Sequence, residues 1–178
     1  EIYTLSLHDA LPIYDCRVYE AVLDAADAAF VRAGESGVRF RDLHSAAMEV
    51  LARRLYEWGL LPEGVSAEDS LSPEGQYHRR WMVHGTSHHL GLDVHDCAQA
   101  RREMSMDALL APGMVFTIEP GLYFRDDDLL VPAELRGMGV RIEDDVVIRP
   151  DGRPEYLTAA IPRRPDDVEA WVSGLIAD

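Results

Sequence analysis

The sequence predicts an α+β fold, with helices in the first half of the chain and short strands in the second. Three observations carry this reading. Apolar residues recur at helical spacing up to Trp58, and after Trp81 they come in short β-type runs, one of them alternating. A hydrophobic content of 47% over 178 residues is enough to bury one core of ordinary domain size.

Each element has its own signature. Over residues 14–33, Val18, Val22, Ala25, Ala29 and Phe30 fall at helical spacing, and Gly34 stands where a helix would stop. A second helix is predicted over 41–58, where Leu43, Ala47, Val50, Leu51, Leu55 and Trp58 share a face and Gly59 terminates it. Between Pro62 and Gly75, the run of Glu, Ser, Asp, Gly and Pro predicts a surface loop or a short helical turn. Strands are then expected at 82–84, 92–95, 114–119, 122–124 and 139–148. In the last of these, Val140, Ile142, Val146 and Ile148 alternate with Arg141, Glu143 and Asp145, as a half-buried antiparallel strand requires. Arg141 and Glu143 thus share a face, and the same period sets Glu119 opposite Phe116 and Ile118. Residues 165–177, acidic at Asp166 and Asp167 in the first turn, predict a terminal helix.

Composition removes whole classes of function. Seventeen basic residues against 32 acidic leave a net charge of −15, which repels a phosphate backbone, so nucleic acid is not an expected partner. All 17 basic residues are Arg; without a lysine there is no phosphate-loop Lys, no pyridoxal Schiff base and no Ser-x-x-Lys hydrolase. Asn is absent too, which excludes a Cys-His-Asn protease. Cys16 and Cys97 form no C-x-x-C pair, and a reducing, cytoplasmic setting is expected. No stretch approaches the roughly 18 apolar residues of a membrane span. The chain opens on Glu1 rather than Met, and residues 4–13, TLSLHDALPI, resemble a translated sequencing adapter. Residues 1–13 are therefore expected to be non-native, and His8 and Asp9 are given no role.

The densest chemistry lies in HGTSHHLGLDVHD, residues 84–96, with His84, His88, His89 and His95. A helical H-x-x-x-H zinc site fails because Gly85, not Glu, follows His84. What remains is a set of imidazoles beside two carboxylate-bearing segments, FTIEPG at 116–121 and VRIEDD at 140–145. One imidazole with two carboxylates on strands suits Mn, Co, Fe or Zn. Blander roles exist for each group: Glu119 capping the turn at Pro120-Gly121, Glu143 pairing with a basic residue across strands, the histidines as polar core or loop groups.

These three segments, in this order, resemble the C-terminal catalytic half of the pita-bread metallopeptidases, and most closely the Xaa-Pro aminopeptidase (aminopeptidase P) group. The boxes are H-G-x-S-H-x-L-G-L-D-V-H-D from His84, P-G-M-V-F-T-I-E-P-G-L-Y from Pro112 and G-V-R-I-E-D-D-V from Gly139. The resemblance implies that residues 14–178 are the C-terminal portion of the catalytic domain, with helices on a curved antiparallel sheet. It implies hydrolysis of the bond between an N-terminal residue and proline by a metal-activated water, on peptides with proline in second position. His88, Glu119 and Glu143 match metal ligands, Glu143 bridging two ions and Glu119 doubling as proton shuttle. His84 and His95 match histidines that hydrogen-bond substrate and the tetrahedral intermediate, and Arg141 matches an arginine beside the ligating carboxylates. Two divalent ions are implied, Mn first and Co, Fe or Zn also accommodated, with a homo-oligomer for the full-length enzyme. The pattern also requires two aspartate ligands on a hairpin ahead of the first helix; Asp9 and Asp15 are too close together to serve, so this chain is expected to be a truncated copy, inactive alone. A prolidase-type Xaa-Pro dipeptidase and a non-catalytic binding module of the same fold are the competing readings. Outside the matched positions, His89 is expected at the surface, with a place lining the substrate pocket as the alternative, His44 and His78 at the surface, Asp93 and Asp96 in turns or orienting imidazoles, residues 126–128 in a solvated loop tip, and Cys97 inert.

Overall fold

The computed structural model describes residues 13–97 and 100–176. Helix α1 (Ile13–Ala33) packs on α2 (Phe40–Glu57) through Val18, Val22, Ala25 and Ala29 on one side and Leu43, Ala47, Leu51 and Leu55 on the other, all fully buried. Helix α2 ends as its sequence requires. Gly59 takes φ +70°, its N–H bonds Tyr56 O at 2.9 Å, and Leu60 N–H reaches back to Leu55 O at 2.9 Å, the double bond that closes a helix through a left-handed glycine. The Pro62–Gly75 segment contains one short helix, α3 (Ala67–Leu71), started by Ser66, whose hydroxyl accepts Asp69 N–H while Asp69 accepts Ser66 N–H.

The second half supplies β1 (Val115–Ile118), β2 (Gly121–Tyr123), β3 (Gly139–Arg141), β4 (Asp144–Ile148), β5 (Pro154–Tyr156) and the terminal helix α4 (Pro165–Ile176). β1, β4 and β5 form one antiparallel sheet in that order, and β2 pairs with β3 in another. The core lies between these strands and the two long helices: Phe116, Ile118, Leu122, Phe124 and Val146 are buried against them. Each such side chain contributes roughly 1.5–3 kcal/mol relative to exposure.

The strand predicted over 139–148 is two strands. Ile118 pairs with Asp144 and Gly121 with Arg141, so both ladders keep one register across a break, and Glu119 and Glu143 fall opposite each other inside it. Pro120 is the physical cause, since it has no N–H to give the ladder; it accepts only, from Ile142 N–H at 3.3 Å. The alternation survives the break: Val140, Ile142, Val146 and Ile148 are buried, and so is Asp144.

Two other expected strands are absent. Residues 82–84 are irregular, and the pairing segment lies just beyond, at 86–90. Residues 92–95 form a bend, and among the described residues no strand covers their apolar positions: Leu92 is fully exposed and Val94 mostly so. β5, a Pro-Glu-Tyr strand with no apolar run, had no sequence signature. Among the described residues, no helix is long and apolar enough to cross a membrane.

Candidate metal centre

Segment 86–90 runs along the edge of β1 opposite β4. Leu90 N–H donates to Val115 O at 3.0 Å, Thr117 N–H to His88 O at 2.9 Å and Glu119 N–H to Thr86 O at 2.7 Å. His88 is thereby seated beside Thr117. The Thr117 hydroxyl accepts His88 N–H at 3.1 Å and donates to Glu119 Oε1 at 3.0 Å, which aims the carboxylate. Thr117 and Glu119 share a face because side chains on extended backbone repeat every two residues.

The tautomer of His88 follows from its partners. Nδ1 lies 3.2 Å from the His89 carbonyl, which can only accept, so Nδ1 carries the proton and Nε2 presents a lone pair. That lone pair faces Glu119 Oε1 at 3.1 Å, a repulsive contact unless a cation or proton lies between the two atoms. Glu143 comes in from across the strand break. His88, Glu119 and Glu143 each offer one ligand atom, all within 4.8 Å of one another, and among the described residues no other such group of His, Cys, Asp or Glu occurs. Like charges set directly opposite destabilise a strand pair. Accordingly burial, then the Glu119 carboxylate, raise the Glu143 carboxyl above its ordinary value, partly offset by the Arg141 guanidinium at 3.4 Å. One imidazole nitrogen and two crowded carboxylate oxygens form a donor set that fits a hard or borderline divalent cation.

The other sequence-predicted residues stand around this cluster. His84 Nδ1–H donates to Gly85 O at 2.7 Å, and its Nε2 meets the Tyr123 hydroxyl at 2.7 Å. The Arg141 charge acts on Tyr123 and its guanidinium lies 3.4 Å from Glu143, so His84, Tyr123, Arg141 and Glu143 are neighbouring polar groups. Burial raises the Tyr123 hydroxyl above its ordinary range, and Arg141 opposes that rise. His95 is exposed on the 92–95 bend with its ring edge-on to His88, centroids 4.4 Å apart. Gly121 leaves room for Tyr123: a Cβ there would lie 2.6 Å from the Tyr123 hydroxyl oxygen and 2.9 Å from Val140 O.

Three surface expectations are corrected. His89 is half-buried and stacks on Phe40 at 4.2 Å, because its backbone belongs to the 86–90 edge and its ring turns toward the start of α2. His44 is half-buried with Nδ1 at 2.8 Å from the Thr86 hydroxyl; burial, then the charges of His78, Arg79 and His84, push it down to about 4. His78 is 3% exposed, hydrogen-bonded through its ring to Ser70 O at 2.8 Å. The 126–128 tip is likewise not wholly solvated: Asp128 is buried, held by Arg80 at 2.8 and 2.9 Å and by the Trp81 indole N–H at 3.2 Å, and these donors lower its carboxyl to about 2. Asp93 is exposed and Asp96 half-buried, its N–H closing the bend onto His89 O at 3.0 Å. Asp9 and the Asp15 side chain lie outside the described residues. Sequence reading passed over Thr86, Thr117 and Tyr123; for Thr117 the signal was its two-residue spacing from Glu119.

Residues 7–150 match the model of metallopeptidase family M24. The chain is 48% identical over 179 residues to Xaa-Pro aminopeptidase 1 of Streptomyces coelicolor, covering 97% of this chain and 35% of that protein. It is 37% identical over 153 residues to the Xaa-Pro aminopeptidase of Escherichia coli, covering 86% of this chain and 33% of the other. Among solved structures, Pseudomonas aeruginosa aminopeptidase PepP matches with a TM-score of 0.81 at 32% identity, over 92% of this chain and 35% of that one. Escherichia coli aminopeptidase P, in a variant solved in complex with substrate, matches with a TM-score of 0.81 at 30% identity, over 94% and 36%. The chain thus spans about 35% of the length of the Streptomyces relative and a similar share of the others. The helices and antiparallel strands described above correspond to the C-terminal part of the pita-bread fold of these enzymes. By sequence match, by identity to its relatives and by fold, the chain belongs to metallopeptidase family M24.

Proposed function

We propose that this chain is the C-terminal portion of a metal-dependent aminopeptidase that releases an N-terminal residue from peptides with proline in second position. The observation that carries the reading is the cluster of His88, Glu119 and Glu143, two carboxylates set opposite each other with an imidazole lone pair facing one of them. Those three residues would hold the cations, two divalent ions in the whole enzyme with Mn favoured, and the two further aspartate ligands would come from outside the described residues. The reading therefore makes this polypeptide alone inactive. When bound, such ions supply Lewis acidity and a water of lowered pKa.

The side chains do the rest. Glu119, with one oxygen held by the Thr117 hydroxyl, is the proton carrier between attacking water and leaving amine. His84 and His95 flank the cluster and would hydrogen-bond the substrate, His84 by exchanging the Nε2 contact with the Tyr123 hydroxyl that orients its ring beforehand. Arg141 keeps Glu143 in place. Proline makes the scissile bond a tertiary amide without N–H, so recognition has to come from the site itself rather than from strand-like pairing. A cytoplasmic setting and a homo-oligomeric whole enzyme belong to the same reading.

The test is an assay of the whole enzyme carrying this segment, loaded with Mn²⁺, on Xaa-Pro-Xaa peptides, Xaa-Pro dipeptides and Xaa-Ala-Xaa controls. Selective cleavage of the longer proline peptides is expected, and Glu143→Gln should lower kcat by on the order of 10³-fold. Cleavage of dipeptides alone would point to a prolidase-type enzyme. No proline-selective hydrolysis would leave a binding module.

A further inference from the structure

Directly behind the ligand-bearing strands lies a buried polar cluster that the proposed chemistry does not use. Asp144, next in sequence to Glu143, is 2% exposed. Its Oδ1 accepts the Thr158 hydroxyl at 2.6 Å, and its Oδ2 lies 2.6 Å from Arg163 Nε. Arg163 itself is held from three further directions: its guanidinium sits 4.6 Å over the Tyr156 ring, its Nη2 donates to Asp27 on α1 at 2.9 Å, and its carbonyl accepts the Tyr19 hydroxyl at 2.7 Å.

Geometry couples this cluster to the candidate centre. Asp144 opens β4 and pairs with Ile118, the residue before Glu119, so its position fixes the end of the strand break next to both Glu119 and Glu143. Adjacent residues on extended backbone point to opposite faces; clamping Asp144 downward therefore turns Glu143 toward His88 and Glu119. The clamp is electrostatic as well. The Arg163 charge compensates that of Asp144 where the two facing atoms are closed off from water, an ion pair rather than an aligned hydrogen bond.

We propose that Arg163, acting through Asp144, is the positioning residue for the Glu143 ligand. Arg163 touches neither substrate nor cation; it fixes the direction from which Glu143 enters the site. This rests on the metal-centre reading above, and the test separates the two. The readout is Co²⁺ titration of the 178-residue chain, followed by the visible absorption of the bound ion, with thermal unfolding measured on the same samples. Glu143→Gln should remove the cobalt spectrum. Arg163→Met and Asp144→Asn should weaken Co²⁺ affinity by about 10- to 100-fold, the range typical of lost support behind a ligand. Asp27→Asn, which removes the charge pairing between α1 and the same guanidinium but leaves Asp144 clamped, should lower the melting temperature and leave cobalt affinity as in wild type.

Wild-type affinity in Arg163→Met, or equal losses in Arg163→Met and Asp27→Asn, would overturn the positioning role. Where the substitutions at 163 and 144 prevent folding, Thr158→Val decides: it keeps shape and removes the hydroxyl that donates to Asp144 and accepts the Asp145 N–H, and unchanged cobalt affinity in a folded Thr158→Val chain overturns the clamp on Asp144 through which Arg163 is proposed to act. A wild-type chain with no Glu143-dependent cobalt signal would sink the metal centre itself, and the inference with it.

Discussion

His44 illustrates how one buried group ties stability to pH. Its ring is held at about 4, below the ordinary value of 6.5, because burial penalises the imidazolium. The unfolded chain therefore binds a proton that the folded chain refuses. Stability from the neutral ring is complete above about pH 6.5 and is lost as pH falls toward 4, each pKa unit of that gap corresponding to about 1.4 kcal/mol. His78, lowered by burial in the same direction, adds to the same window. Replacing His44 with Gln, which keeps a partner for the Thr86 hydroxyl and cannot titrate, should flatten the fall in melting temperature between pH 6.5 and 4. A melting profile as steep as that of wild type would mean His44 is not the group responsible. None of this was legible beforehand. His44 lies on the helix face expected to meet solvent, and its partner Thr86 is 42 residues away in sequence. His78 and Asp128 are misread for the same reason, since their partners, Ser70 for one and Arg80 with Trp81 for the other, are tertiary neighbours that local pattern does not reveal.

At the scale of elements, α1 and α2 are readable because an apolar stripe and a terminating glycine are local signals, and both helices lie within a residue of their expected bounds. The strands are readable only in part. Alternation through residues 140–148 correctly separates buried from exposed side chains, yet it cannot mark where pairing stops, because the break is imposed from the other strand by Pro120. That break brings Glu119 and Glu143 face to face without a ladder bond between them. Gly121 is the hinge of the arrangement. Substituting Ala would drive a methyl group into the Tyr123 hydroxyl and the Val140 carbonyl, and the latter is backbone that cannot swing aside. Gly121→Ala should cost about 1–3 kcal/mol in urea unfolding and loosen the contact between Tyr123 and His84. Wild-type stability in that variant would mean the β2–β3 pair gives way more easily than this packing implies.

Over the whole molecule, the histidine box and the two carboxylate boxes are spread between residues 84 and 146, yet His88, Glu119 and Glu143 bring ligand atoms within 4.8 Å of one another. Residue types and chain order were enough to nominate these three. Their convergence depends on the 86–90 edge, which lies beside β1 rather than at 82–84 or 92–95 where strands were expected. The apolar core and the helix pair hold that edge in place, so the same burial that stabilises the fold confines two carboxylates and an imidazole at close quarters. A divalent cation would relieve this crowding. The most direct test is a Mn²⁺ titration of the 178-residue chain, with free Mn²⁺ followed by electron paramagnetic resonance, against a chain carrying His88→Ala, Glu119→Gln and Glu143→Gln together. Saturable binding by the wild-type chain that the triple variant lacks is the predicted result. Indistinguishable binding curves for the two chains would contradict it.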